Sequence, residues 1–319
     1  MNQPRLLLLA FALASSLCVR AGAASRSFLQ TNDVICSIGG ANVISGQEHG
    51  YLETFLRVSF PQYNLRFRSL AHEGDTVFAQ PRDFNYPGIA RQINDAGATV
   101  VLAFFGQMEG LDGQEDLQKF LSAYEQLLTT IEGPRIVLVS PFLYERADPP
   151  LPDNTPKNYA MREYLFGIRQ LAKKRNATFI DLFTSTKRST AWGRFTSDGL
   201  HLNNVGHWYY DSLIATDLGA SLLPSRFLID PSTGAFKDPK WENVRRSIVT
   251  KNQLWTFYYR PTNWAFLGGD RTDQPSSRDY QNPKIRWFPD EMKRFLPLIN
   301  QAEDDITQFA KASTSRPAQ

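Results

Sequence analysis

The chain has 319 residues, 42% of them hydrophobic and 21% charged, with 35 basic against 32 acidic side chains. That apolar share suffices for a sizeable core and excludes a disordered or low-complexity chain. A formal net charge of +3 without a Lys/Arg stripe argues against nucleic acid or an anionic membrane surface as the partner.

The chain opens with a short cationic start, Met1 to Arg5, then an apolar run from Leu6 to Val19, then the small residues Ala21-Gly22-Ala23. This is the order of an export signal, so residues 1–23 are expected to be removed near Ala23 and the remainder to be secreted or periplasmic. The apolar run is shorter than the roughly 20 residues needed to cross a bilayer, so no stable membrane anchor is expected. Without Arg5 and Arg20 the balance is 33 basic against 32 acidic residues, a net of +1. Of the two cysteines only Cys36 would remain, which rules out an intrachain disulfide. Cys36 lies in Val34-Ile35-Cys36-Ser37-Ile38 and reads as a buried strand residue.

Short apolar runs then alternate with longer amphipathic stretches, the pattern of a parallel sheet with crossover helices. Strands are expected at Val34–Ile38, Leu65–Leu70, Thr99–Phe105, Arg135–Ser140 and Thr178–Leu182, and helices near Gln47–Val58, Ile89–Ala96, Glu115–Ile131 and Asn158–Arg175. In the third helix Leu117, Phe120, Leu121, Tyr124, Leu127, Leu128 and Ile131 recur at spacings of three and four, which makes one apolar stripe for the sheet. A last helix, Asn203–Leu223, closes an α/β domain of three layers over residues 24–223. Beyond Pro224 prolines, tryptophans and tyrosines become frequent, with helical stretches at Trp241–Tyr258 and Pro289–Ala312. Residues 224–319 therefore read as a helical, aromatic-rich extension packed on the main domain.

In open α/β sheets, ligands and catalytic groups gather at the carboxyl ends of the strands. The loops there carry Gly39-Gly40-Ala41-Asn42, then His72-Glu73-Gly74-Asp75-Thr76, then Gly106-Gln107-Met108-Glu109; Asp198-Gly199-Leu200-His201 precedes the last helix. An aspartate three residues before a histidine can fix one imidazole tautomer and leave the other nitrogen as a general base. The alternative for this segment is a surface turn leading to a helix cap at Asn203 or Asn204. Asn42, Gln107 and His72 are further polar candidates for the cleft. Glu48-His49 and His72-Glu73 with Asp75 offer metal-binding groups, but no HExxH helix or CxxC pair is present, and neither a metal nor a cofactor is expected.

The order of these blocks over about residues 33–220 resembles the SGNH, or GDSL-type, hydrolases, an esterase and lipase superfamily with a flavodoxin-like three-layer fold. The resemblance implies a parallel sheet of about five strands, an active-site dyad of Asp198 and His201, and Gly74 in the second block. The tail, with Asn252-Gln253, Arg260-Pro261-Thr262-Asn263 and Gly268-Gly269, looks like that of a secreted branch found in planctomycete- and verrucomicrobia-type bacteria. Two positions depart from the family pattern. Ala41 stands where the nucleophilic serine belongs, and Met108 stands where an asparagine donates to the oxyanion. The resemblance thus implies either an ester hydrolase with an altered nucleophile, acting on small-molecule or carbohydrate O-acyl esters, or a non-catalytic relative that binds a polysaccharide or an exported protein. Water activated by His201, with the amides of Ala41 and Gly74 and the side chain of Gln107 as donors, is the route left open. Ser37 and Ser45 do not fit the family geometry. The sequence leaves the oligomeric state open.

Overall fold

The structure is a computed structural model and describes residues 28–185, 193–221 and 228–314. The expected leader and the boundary at residue 223 lie outside the described residues, whereas the helix expected over Asn203–Leu223 spans only Asn204–Asp217, and Gly219 just beyond it adopts φ +98°.

Five parallel strands form one sheet in the order β2-β1-β3-β4-β5: β1 Val34–Gly39, β2 Arg66–Ser69, β3 Val100–Phe104, β4 Arg135–Val139 and β5 Thr178–Ile180. This is the flavodoxin-like order, and its switch point lies between β1 and β3. Helices cover both faces, so the central strands are buried on both sides and read in sequence as continuous apolar runs.

On one face, helices α2 (Tyr51–Ser59) and α7 (Asn204–Asp217) pack over Ile35, Val100, Leu102, Val137 and Val139. On the other face, α3 (Ile89–Asp95), α4 (Leu117–Thr129) and α5 (Asn158–Lys174) cover Cys36, Ile38, Val101, Ala103 and Leu138. The stripe expected on α4 buries Phe120, Tyr124, Leu127 and Leu128. Cys36 is fully buried, and burial pushes its thiol up to about 12.

Two expected helices are divided. The stretch read as Gln47–Val58 is α1 (Ala41–His49) followed by α2, because Gly50 adopts φ +68° and donates back to the Gly46 carbonyl. The stretch read as Pro289–Ala312 is α10 (Trp287–Lys293) and α11 (Phe295–Thr314). A short α6 (Leu182–Ser185) follows β5, and α9 (Trp264–Leu267) follows α8 (Pro239–Tyr259).

Helix α8 runs along the outer edge of the sheet. In β2 the carbonyls of Phe67 and Ser69 point away from β1; they accept from Lys251 Nζ at 3.5 Å and Trp255 Nε1 at 2.7 Å. The edge is thereby closed to another strand. A buried ionic cluster ties the same elements together. Glu53 of α2 holds Arg57 at 2.8 Å and Lys251 of α8 at 2.7 Å, while Glu303 of α11 pairs with Arg57 and Arg68 and stands 3.8 Å from Lys251. Residues of α8 and α11 enter the apolar cores on both faces: Val244, Ile248 and Ile306 on one, Trp255, Tyr259 and Ile299 on the other.

Candidate active site

β1 ends at Gly39, whose φ of +147° and neighbours exclude a side chain: a Cβ there would stand 2.6 Å from the Phe104 carbonyl oxygen of β3. Gly40 caps α1, and a Cβ on it would lie 3.3 Å from the Asp75 carbonyl and 3.5 Å from that of Glu73. The loop after β2 therefore backs the turn after β1, and Ala41 opens α1 at the carboxyl end of the sheet. Its methyl group carries no lone pair for attack.

The segment before α7 is a small closed turn, bridged between Thr196 and Leu202, in which Gly199 adopts φ +91°. Asp198 Oδ1 accepts from the backbone N–H groups of Leu200 (2.9 Å) and His201 (2.7 Å), while Oδ2 stands 2.6 Å from His201 Nδ1. Burial raises the Asp198 carboxyl, but its hydrogen bonds from the His201 ring and from those two amides outweigh this and hold it below the usual carboxylate range. An ionised Asp198 keeps the proton on Nδ1. Nε2 then carries the lone pair, and among the described residues it has no partner; the His201 side chain is 48% exposed. The cap expected in the alternative reading is present too, since Asn203 accepts from Gly206 N at 2.9 Å. The Asp198–His201 hydrogen bond and the Asn203 cap are therefore present together.

Two side chains anchor the His201 turn. Asn42, the second residue of α1, donates from Nδ2 to the Leu200 carbonyl (3.0 Å) and accepts at Oδ1 from Leu202 N (2.9 Å). Glu145 accepts from the backbone amides of Phe195 and Thr196 and from the Thr196 hydroxyl at 2.6 Å. Asn42 is a strut between the Ala41 turn and the His201 turn.

In the loop after β3, Glu109 is buried and its carboxylate accepts from Val77 N (2.9 Å) and Gly106 N (2.8 Å), joining the loops after β2 and β3. Burial raises the Glu109 carboxyl, and those amides oppose the rise. Gln107 Oε1 accepts from Phe142 N at 3.0 Å, whereas its Nε2 is buried without a partner, an unused donor. Met108 is 44% exposed beside it, and its thioether cannot donate.

These loops surround a cavity of about 210 Å³, with Ala41, Asn42, Gln107, Met108 and His201 in its wall. Asp198 stands behind His201, outside the wall. Gly74 is an exposed turn residue and is not in the wall, although Glu73 and Asp75 on either side of it are. His72, expected in the cleft, is also absent from the wall: its ring meets Tyr86 and Tyr259 edge-on at 6.3 and 5.8 Å. Burial, then Arg82 and Arg260, lower its pKa to about 4, so it is neutral. Among the described residues no three His, Cys, Asp or Glu side chains gather as metal ligands.

Sequence reasoning missed Glu109, Glu145 and Asp211. Glu109 had a signal, as an acid in the last position of the third block. Asp211 of α7 also lies in the cavity wall, and its signal is a lone carboxylate between Tyr210 and Ile214 on a helix that packs inward.

The profile of the GDSL-like lipase/acylhydrolase family matches residues 37–209. No curated protein sequence matches the chain. Among solved structures, a gut microbial diltiazem-metabolizing enzyme aligns with a TM-score of 0.50 at 16% identity; the alignment covers 60% of this chain and 48% of that one, so the chain spans about half its length. A catalytic mutant of an acetylxylan esterase from Geobacillus stearothermophilus aligns with a TM-score of 0.45 at 16% identity, covering 63% and 99% of the two chains. A GDSL-like lipase structure from Parabacteroides merdae gives 0.47 at 15%, covering 61% and 99%. These likenesses are of fold. The family match covers more than half of the sequence and contains the Ala41 turn, the Glu109 loop and the Asp198–His201 dyad, and the chain belongs to the GDSL-like lipase/acylhydrolase family.

Proposed function

We propose that the chain hydrolyses O-acyl esters of carbohydrates outside the cytoplasm, using water in place of a serine nucleophile. The observation that carries this is the dyad: His201 Nδ1 is 2.6 Å from an Asp198 carboxylate held ionised, and Nε2 has no partner among the described residues. The export leader expected over residues 1–23 supports a substrate outside the cytoplasm. Among the described residues no helix is long and apolar enough to cross a membrane.

The ester carbonyl sits beside Ala41. His201 Nε2 takes a proton from a water as its oxygen attacks the carbonyl carbon, and Gln107 Nε2–H donates to the oxyanion that forms. The same proton then passes to the departing alkoxide as the carbon–oxygen bond breaks. Asp198 stays ionised throughout and keeps the imidazole in one tautomer. Without a serine or the family asparagine this is slow catalysis, since one oxyanion donor alone is worth about 100- to 1000-fold.

Release of p-nitrophenol from p-nitrophenyl acetate, and of acetate from an acetylated oligosaccharide, tests the reading. Turnover above buffer that is lost in His201→Ala supports it; an inert parent overturns it. Ala41 and exposed Met108 favour a second reading, a family member that holds a glycan or exported protein without cutting it. Under that reading the parent is inert and Ala41→Ser with Met108→Asn creates activity.

A further inference from the structure

The cavity does not stop at Ala41. It continues beneath α1, between that helix, α7 and the sheet, where Gly46, Leu52, Tyr210, Asp211 and Ile214 belong to its wall. No side chain of α1 is fully buried, because the inner face of the helix borders this space rather than the sheet. Mouth and arm together hold about 210 Å³, against roughly 150 Å³ for a cavity that encloses a benzene ring.

One group in this wall is out of keeping with it. Asp211 lies deep in the molecule, yet it keeps accessible surface and stands in the cavity wall. Oδ2 accepts from Leu52 N at 3.2 Å, and Oδ1 has no partner among the described residues. Among the described residues no lysine or arginine is paired with it. Arg68, the one guanidinium in the wall, is engaged by Glu303 and by its neighbour's carbonyl. Burial raises the Asp211 carboxyl to about 7, and the Leu52 amide only partly opposes this. The histidine one turn earlier, His207, offers no counter-charge. Its Nε2 is 2.8 Å from the Ser45 hydroxyl, and burial, then His49, keep it neutral. A buried carboxylate normally has a cationic partner, and here it faces a cavity walled largely by apolar and aromatic groups.

We infer that this arm of the cavity takes a protonated amine, with Asp211 as its counter-ion, and that the ester cleaved at His201 carries this ammonium on its acyl chain. The orientation rests on the hydrolase reading above; the ammonium site itself does not. From Asn204, three residues after His201, to Asp211 the helix climbs seven steps or about 10 Å, and a spacer of that order is the length chosen for the probes. The alcohol, carbohydrate or other, stays at the mouth beside Met108 and His201. Leu52, Ile214 and the ring of Tyr210 receive the spacer, and an aromatic wall also suits a cation.

The test is calorimetric titration of the full chain at about pH 8, where Asp211 is ionised, with n-hexylammonium, n-hexanol and hexanoate. Hexylammonium is expected to bind about tenfold or more tighter than either of the others. Asp211→Asn, which keeps size and the Leu52 bond, should bring the amine and the alcohol within about twofold of each other. Gly46→Leu fills the arm beside His207 and should abolish binding of all three. Equal affinities in the parent, no binding of any probe, or an amine preference that survives Asp211→Asn each overturn the proposal. A parallel assay compares p-nitrophenyl 6-aminohexanoate with p-nitrophenyl hexanoate. A preference for the amine that disappears in Asp211→Asn places the ammonium on the acyl side. If neither ester turns over, the hydrolase reading fails while the titration still decides the ammonium site.

Discussion

Glu303 is the residue whose loss should cost the fold most for the fewest atoms changed. Its side chain is 1% exposed and faces Arg57, Arg68 and Lys251, whose side chains are 2, 9 and 0% exposed. The cluster holds three cations and, with Glu53, two anions, and Glu303→Gln leaves three cations to one anion. A single pair of charges about 4 Å apart interacts with about 4 kcal/mol at the effective dielectric of a protein. Removing one member of a buried pair costs about 3–5 kcal/mol, because the partner remains desolvated. Burial already lowers Lys251 to about 8, with Glu53 opposing and Arg68 and Arg57 adding to the fall, so the site tolerates poorly a further loss of negative charge. For a chain of this size the expected fall in Tm is roughly 5–8 °C. Urea unfolding followed by tryptophan fluorescence gives the free energy directly, Trp255 standing over Arg68 at 4.9 Å. The exposed pair Arg66–Asp304, at 4.0 Å, is the control, and Asp304→Asn should change stability by less than about 0.5 kcal/mol. A Glu303→Gln variant within about 1 kcal/mol of the parent would refute the assignment of this cluster as the tie between the α11 helix and the sheet.

Three further outcomes are expected. Asn42→Ala removes both bonds to the His201 turn and should lower stability by about 1–3 kcal/mol by thermal melting, with kcat for ester hydrolysis falling further than KM changes. Gly46→Ala and Gly206→Ala should move Tm in opposite directions. A Cβ at Gly46 meets the His207 ring at an ordinary 3.7 Å and gains up to about 1 kcal/mol of helix propensity, whereas one at Gly206 would lie 1.9 Å from the Phe195 carbonyl and cost about 3 kcal/mol. Asp211 gives a pH signature with a definite sign. Its folded-state pKa of about 7 lies above the ordinary 3.8, so it contributes stability that is fully present at low pH and lost as pH rises through 7. The stability of the parent minus that of Asp211→Asn, measured by urea titration, should therefore decrease steadily between about pH 4 and 7; a flat difference would mean that burial does not raise the Asp211 carboxyl.

The strands were legible because a sheet covered on both faces needs continuous apolar runs, and Val100–Phe104 and Arg135–Val139 supply them. The break at Gly50 was not, since a glycine within an amphipathic pattern is compatible with a continuous helix until its φ is known. Spacing left Asp198 and His201 open between a hydrogen-bonded pair and a plain surface turn before a helix cap; the resemblance implied the pair, and the contact is present. The work of Asn42 was hidden: its partners are 158 and 160 residues away, and only the closed fold brings them together. His72 illustrates the reverse. Its place beside the second loop suggested the cleft, but Tyr86 of the same connection and Tyr259 of α8 meet its ring, and it is not in the cavity wall.

The reach of the ionic cluster bears on how the chain acquires its structure. Glu53 and Arg57 are separated from Glu303 by about 250 residues, and the edge of β2 is closed by side chains of α8 nearly 190 residues later. A ribosome delivers these partners last. Until α11 arrives, Arg57 lacks one of its two carboxylates and Arg68 lacks Glu303, and until α8 arrives, the β2 carbonyls stand open to any other strand. Contacts of such long sequence separation slow folding and favour completion after synthesis. A chain exported while still unclosed would suit that order, since its edge would be sealed only once all of it had emerged on the far side.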